Sequence, residues 1–226
     1  MYQYLFLSVV MVPVLGAFLL PLLGRFSEKL RNLTALLLIT LPLGITLYLL
    51  PLGLAGKIIS ATLFFPLGFN IFFSADLLAL FMAIVSSLTG AVIVLYSFGY
   101  IGHYDNRNEY YFMVSLFLGS MMGIIFSANL IQLFIFWEIT ALCSWRLIGF
   151  FRGRSEVLCA DKAFLVTVFG ALVMLVGFIM LYTQTGSFDL PAIKAYFATR
   201  PVPDLIVLLV LFGIFSKSAT LPFQTW

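Results

Sequence analysis

Charge is what this sequence has least of. Only 9% of its 226 residues are Asp, Glu, Lys or Arg, where a soluble domain carries roughly 25%. Hydrophobic residues make up 63%, and the mean hydropathy is +1.14. So little polar surface cannot coat a body in water, which excludes a soluble globular domain and makes the bilayer the solvent. Histidine occurs once, as His103, and cysteine twice, as Cys143 and Cys159. No metal-ligand spacing links them, so neither a metal site nor a disulfide framework is expected. No Gly-rich loop follows a strand, which removes the nucleotide-binding fingerprint. The net charge is +3, but no long basic run exists, so a nucleic-acid partner has no electrostatic footprint. No cofactor is expected.

Apolar runs are what the chain has in abundance, with 25 phenylalanines among them. A membrane-spanning helix needs about 20 largely apolar residues. The segments Tyr4–Leu23, Leu33–Leu52, Leu77–Ser97, Tyr111–Phe126, Leu130–Phe151 and Ala163–Thr183 fit that description, and a further one starts near Asp204 and runs to Trp226. The prediction is an all-α, polytopic transmembrane helix bundle of about seven spans. Between the second and third spans, residues 54–75 carry Pro66, Gly68 and Asn70 among aromatics, which predicts a short hairpin at the membrane surface. The organisation expected is an N-terminal region over 1–75 and a second region over 76–226. Trp226 closes an apolar run with no polar tail, which suggests a longer protein.

Lys and Arg in the connecting segments set the orientation. Arg25, Lys29, Arg31, Arg107, Arg152, Arg154 and Lys162 fall on one side, and Lys57, Lys194 and Arg200 on the other. The richer side is expected in the cytoplasm, with the N-terminus outside the cell membrane of a bacterium or archaeon.

Two charged residues lie deep within spans. Glu138 sits in LFIFWEITALCSW, roughly 12 Å into the fifth span, and Lys217 sits in LFGIFSKSATLPF, roughly 19 Å into the seventh. A charge at mid-membrane costs at least about 2.5–3.5 kcal/mol. Burial favours the neutral form of acid and amine alike, so both groups are suited to exchanging a proton. Against this stands a static salt bridge that joins helices. Ser216 and Ser218 flank the lysine, and Pro222 frees the carbonyl of Ser218, which predicts a broken seventh helix of the kind transporters use. Gln224 follows Lys217 by seven residues and would extend a polar track on the same helical face.

Four other residues are accessory candidates or their rivals. Arg146 reads as a snorkelling anchor or as a point where protons come in. Asp76 reads as a helix cap or as a functional carboxylate. Lys162 opens the sixth span, where the helix dipole disfavours a cation, which leaves room for a partner elsewhere. His103 reads as a solvated loop residue.

These residues resemble a known family. FWEITALCSWRLIGF is similar to the fifth-helix signature of antiporter-like subunits, and FGIFSKSATLPFQTW to their seventh-helix signature. YSFGYIGHYD and SANLIQLFIFWE stand in the expected order, so the resemblance covers most of the chain from Asp76 to Trp226. The family comprises the proton-pumping membrane subunits of complex I (NADH-quinone oxidoreductase), the large subunits of Mrp-type sodium/proton antiporters, and relatives in membrane-bound hydrogenases. The resemblance implies that Glu138 and Lys217 are the glutamate and lysine of one half-channel, the first tuning the protonation of the second. It also matches Lys162 to a lysine of the sixth helix. VTVFGALVMLVG looks more like the Mrp-type large subunit. Arg146 departs from the family by replacing an apolar residue, and the family continues past Trp226 with further helices.

The leading expectation is therefore proton or sodium/proton translocation as one subunit of a multi-subunit membrane assembly. Its partners would be other membrane subunits, protons or sodium, and the lipid bilayer. The chain has no redox centre of its own; any oxidoreductase activity would belong to partner subunits. A structural scaffold with a static Glu–Lys bridge is the alternative.

Overall fold

The structure is a computed structural model that describes residues 2–64 and 70–224. Trp226, Pro66 and Gly68 lie outside the described residues. The chain divides by packing into two compact units, Met1–Ser127 and Ala128–Trp226. The division falls after Ser127 rather than at residue 75, because helices on both sides of residue 75 pack into one body.

The first unit holds α1 (Tyr2–Ala17), α2 (Leu20–Phe26), α3 (Glu28–Leu54), α4 (Leu77–Tyr100) and α5 (Arg107–Phe126). A two-stranded antiparallel hairpin, β1 (Ile59–Phe64) and β2 (Asn70–Ala75), separates α3 from α4, as the aromatic segment predicts. The first predicted span is not one rod. α1 and α2 meet at 51°, because Pro21 has no N–H to offer the Ala17 carbonyl and its ring crowds that carbonyl. Phe18 and Leu19 turn instead through shorter bonds to Leu15 and Gly16. The core of this unit includes Phe6, Val9, Val10, Leu49, Leu80 and Phe126. The rings of Phe6 and Phe126 meet edge to face at 4.9 Å, a favoured aromatic geometry.

Arg31 is only 3% exposed, so it is not the solvated connector charge that its position suggests. Its Nη1 donates to Asn108 Oδ1 at 2.7 Å. Nε and Nη2 donate to Asn32 Oδ1 at 3.1 and 2.9 Å, and the guanidinium lies 4.7 Å from the Tyr111 ring centroid. Such contacts make burial of an arginine tolerable. Nearby, Arg107 pairs with Glu28 at 2.6 Å.

The second unit holds α6 (Leu130–Ile148), α7 (Arg154–Thr185), the short α8 (Leu190–Tyr196) and α9 (Asp204–Lys217). α7 starts nine residues before the predicted sixth span, so the charged stretch expected as a loop is largely helix. Gly153 opens α7 and Gly186, with φ 69°, closes it, a left-handed C-terminal position that glycine adopts without strain. Where seven spans were expected, five helices among the described residues are long and apolar enough to cross a membrane, or six with the bent α1–α2 pair. α9 has 14 residues, about 21 Å of helix, which is short of a hydrocarbon core about 30 Å thick. Leucine and phenylalanine side chains cover the outward faces of α3, α4 and α7, as an integral membrane protein requires.

Asp76 is the N-cap of α4, its Oδ1 accepting from the Ala79 amide at 2.8 Å. Asp76→Ala should weaken the first turn of α4 by about 1 kcal/mol, read as roughly fivefold faster amide exchange there, and Asp76→Asn should restore protection. Unaltered exchange in the alanine variant would show that the cap contributes nothing.

Candidate functional site

The start of α6 is held by three kinds of contact. Asn129 caps it, accepting from the amides of Ile131 at 2.9 Å and Gln132 at 3.3 Å. The same side chain donates to Asp189 Oδ1 at 2.8 Å. Backbone bonds from Leu130 to Phe188 and from Leu190 to Ala128, both 2.9 Å, pin the connection before α8 alongside. From that anchored start, Glu138 falls roughly 12 Å along the helix. Thr140 Oγ1 donates to the Trp137 carbonyl at 2.7 Å, and Ser144 Oγ to the Thr140 carbonyl at 2.8 Å. A short polar track thus runs along an otherwise apolar helix.

α9 brings Lys217 to this track. It packs on α7 through small residues, the arrangement that lets membrane helices approach closely. Gly170 faces Ser216, and a methyl on Gly213 would stand 2.9 Å from the Gly170 carbonyl oxygen. Ser216 is buried and returns its hydroxyl to the Gly213 carbonyl at 2.8 Å. α9 then stops at Lys217. Ala219 takes the left-handed conformation at φ 52°, Ser218 N–H bonds the Ile214 carbonyl, and Thr220 N–H bonds the Phe215 carbonyl at 3.2 Å. This is a Schellman-type end, and it leaves the lysine in the last turn, where the helix dipole favours a cation.

The lysine reaches across to α6. Its Nζ donates to the Trp137 carbonyl at 3.3 Å and lies 5.6 Å from the centre of the Trp137 indole. Glu138, the next residue, lies within electrostatic range of the ammonium but makes no ion-pair contact with it. Glu138 Oε1 and Trp137 Nε1 are both buried without a protein partner. A buried carboxylate oxygen of that kind is costly unless it holds a proton or a water.

The helical break changes two sequence-based placements. The expected seventh span does not continue past Lys217, so the break lies at the lysine itself rather than at a carbonyl freed by Pro222. Gln224 therefore does not share a helical face with Lys217; it is an exposed turn residue. Ser218 caps the end of α9, its side chain exposed. Lys162, expected in a first turn, lies in the third turn of α7 and is exposed, so the unfavourable dipole does not apply. Arg146 occupies the last turn of α6, 5.4 Å from the Trp145 ring. Asp76 belongs to the first unit. Among the described residues no three His, Cys, Asp or Glu side chains converge to hold a metal ion. Sequence reasoning passed over Trp137, although it stands in the Trp-Glu pair of the signature, because a main-chain carbonyl leaves no mark in composition.

Residues 127–226 match the family model described as NADH:quinone oxidoreductase/Mrp antiporter, TM. The chain is 32% identical to the Na(+)/H(+) antiporter subunit A1 of Staphylococcus aureus, the match covering 96% of this chain and 28% of that protein. The chain thus spans little more than a quarter of the length of the curated relatives it matches. Among solved structures, the Mrp complex from Dietzia sp. DQ12-45-1b superposes with a TM-score of 0.83 at 30% identity, covering 99% of this chain and 24% of that one. The membrane-bound sulfane sulfur reductase, an archaeal respiratory membrane complex, superposes at 0.85 with 20% identity over 98% of this chain and 46% of that one; this shares the fold.

If Gly170 sets the closeness of α7 and α9, Gly170→Ala should destabilise the protein by about 1–3 kcal/mol, seen as a lower unfolding midpoint in detergent. Gly99→Ala, where an added methyl meets nothing within 4 Å, is the control. Equal midpoints for the two variants would refute the close packing as a constraint.

Proposed function

From the premise that residues 127–226 carry the membrane domain shared by NADH:quinone oxidoreductase and Mrp antiporter subunits, we propose that this chain moves protons, or exchanges sodium for protons, as one subunit of a multi-subunit membrane assembly. Glu138 and Lys217 are its relay pair. The observation that carries this reading is the lysine at a helix break, bonded to the Trp137 carbonyl beside a Glu138 oxygen that has no protein partner.

In this reading Lys217 has two stations. At the first its ammonium rests on the Trp137 carbonyl and indole face. At the second it turns to Glu138, and the attraction of the carboxylate holds the proton on the amine. When the lysine passes its proton onward, Glu138 loses its counter-charge and takes up a proton or water in turn. Protonation of one partner thus biases the other, which is what a relay needs. Ser218 and the Thr140 hydroxyl supply neighbouring polar atoms that water can bridge. Arg146, Lys162 and Asp76 are assigned accessory roles at the membrane faces. The N-terminus is assigned to the outside, following the excess of Lys and Arg on the other face. Redox chemistry, where an assembly has it, belongs to partner subunits.

A scaffold with a static Glu–Lys bridge is the weaker reading, because the two side chains make no ion-pair contact. Glu138→Gln and Lys217→Ala, introduced into the full-length protein within its native complex, should each reduce proton translocation into vesicles by about tenfold or more, with assembly intact. Full translocation in both variants would leave only the scaffold.

A further inference from the structure

Between the end of α7, the short α8 and the start of α9, the second unit has an apolar groove that the relay does not use. It has a volume of about 490 Å³, and its lining includes Leu181, Ile193, Phe197, Ile206 and Val210 together with one charged residue, Lys194. We propose that this groove seats an acyl chain of an anionic membrane phospholipid whose phosphate is held by the Lys194 ammonium.

Three observations carry the assignment. The first is the lysine. Lys194 is exposed, and among the described residues it takes part in no hydrogen bond, ion pair or ring contact. The carboxylate that precedes α8, Asp189, is held by Asn129 at 2.8 Å, and the other cation of the segment, Arg200, lies 4.6 Å from the Tyr196 ring centroid. Lys194 is therefore the charge left open to a ligand, and its ammonium is a point-charge partner for a phosphate. The second is the groove itself. Its volume falls within the roughly 300–1,000 Å³ of small-ligand sites. Leu190, Val202 and Val207 line it and stay exposed although all three are apolar, so it opens outward, as a seat for one chain of a lipid must. Its wall is anchored: backbone bonds from Leu130 to Phe188 and from Leu190 to Ala128 hold the start of α8, and the Tyr182 and Phe188 rings stack at 4.5 Å. The third is position. The apolar stretch of α7 ends at Tyr182, and Thr183, Gln184 and Thr185 follow. α8 comes after this polar end and so lies at the membrane–water boundary, where tyrosines such as Tyr182 and Tyr196 gather. An acyl chain has no hydrophobic reason to prefer the groove to bulk lipid, so the choice of lipid rests on the head group. A cation at that level attracts the acidic ones.

The test uses the full-length protein within its native complex, in neutral detergent, irradiated with phosphatidylglycerol that carries a photoreactive diazirine on one acyl chain. Mass spectrometry of the peptides should find the label on α8 and on residues 202–211. Unlabelled phosphatidylglycerol should compete about fivefold more strongly than phosphatidylcholine of equal chain length, the preference expected for one lysine near the membrane surface. Lys194→Gln should abolish that preference, and Lys57→Gln, an exposed lysine of the first unit, should keep it. Val207→Trp, which puts a large ring into the groove, should remove the label from residues 202–211. If Lys194→Gln does not assemble, the competition between the two lipids on the unaltered protein still decides. Equal competition by the two lipids, a preference that survives Lys194→Gln, or a groove left unlabelled because another protein segment covers it would overturn the assignment. None of these readings depends on ion translocation, so the proposal stands or falls apart from the relay.

Discussion

A membrane interior offers a charged side chain three escapes: a protein partner, a neutral form, or water. The second unit is arranged around that constraint. Lys217 must reach something polar from the end of a helix surrounded by Leu, Ile and Phe. What it reaches is a main-chain carbonyl of α6 and the π-face beside it. That contact requires α9 to lie tightly on α7, which requires glycine at 170 and 213 and a small buried hydroxyl at 216. It also requires α9 to end where it does, since a continued helix would carry the lysine's own turn deeper into regular hydrogen bonding. The packing and the end of residues 204–217 thus together set where one amine lies.

The first unit answers the same constraint differently. Its buried cation, Arg31, has its guanidinium bonded to two asparagines and covered by Tyr111. Three of its donor nitrogens are satisfied by side chains that do not themselves titrate. That is the pattern of a fixed structural charge. Lys217, with one long bond and a carboxylate nearby but not in contact, has the pattern of a charge that can change partners.

Much of this was legible in the sequence. Composition and apolar run length placed most of the helices, because in lipid both the buried and the outward faces of a spanning helix are apolar. Counting residues along those runs also picked out Glu138 and Lys217 as the two charges within apolar helices. What counting could not deliver were the ends. The sixth predicted span starts at Ala163, but α7 begins at Arg154, just after Gly153, because its charged first turns are as compatible with a helix as apolar ones. The seventh was run on to Trp226, but a left-handed Ala219 ends it. Alanine gives no warning of that conformation, as a glycine would have done. Gln224 was misplaced for the same reason. Arg31 was read as a solvated charge because its partner, Asn108, lies 77 residues away, beyond the reach of any local pattern.

The geometry around Lys217 also bears on why a relay would avoid a tight ion pair. Two opposite charges in contact in a low dielectric attract strongly, and breaking them apart leaves each one buried and uncompensated. A lysine locked on Glu138 would be a trap rather than a carrier. A carbonyl and an aromatic face form a weaker station, since neither carries a full negative charge. In the proposed relay, that station lies one residue from the carboxylate, which would put both positions within reach of one flexible side chain. A relay of this kind would need a free-energy gap between the two positions small enough for a single proton to reverse it. In the proposed relay, a tryptophan carbonyl and ring beside the glutamate would keep the glutamate and the lysine from settling permanently on each other.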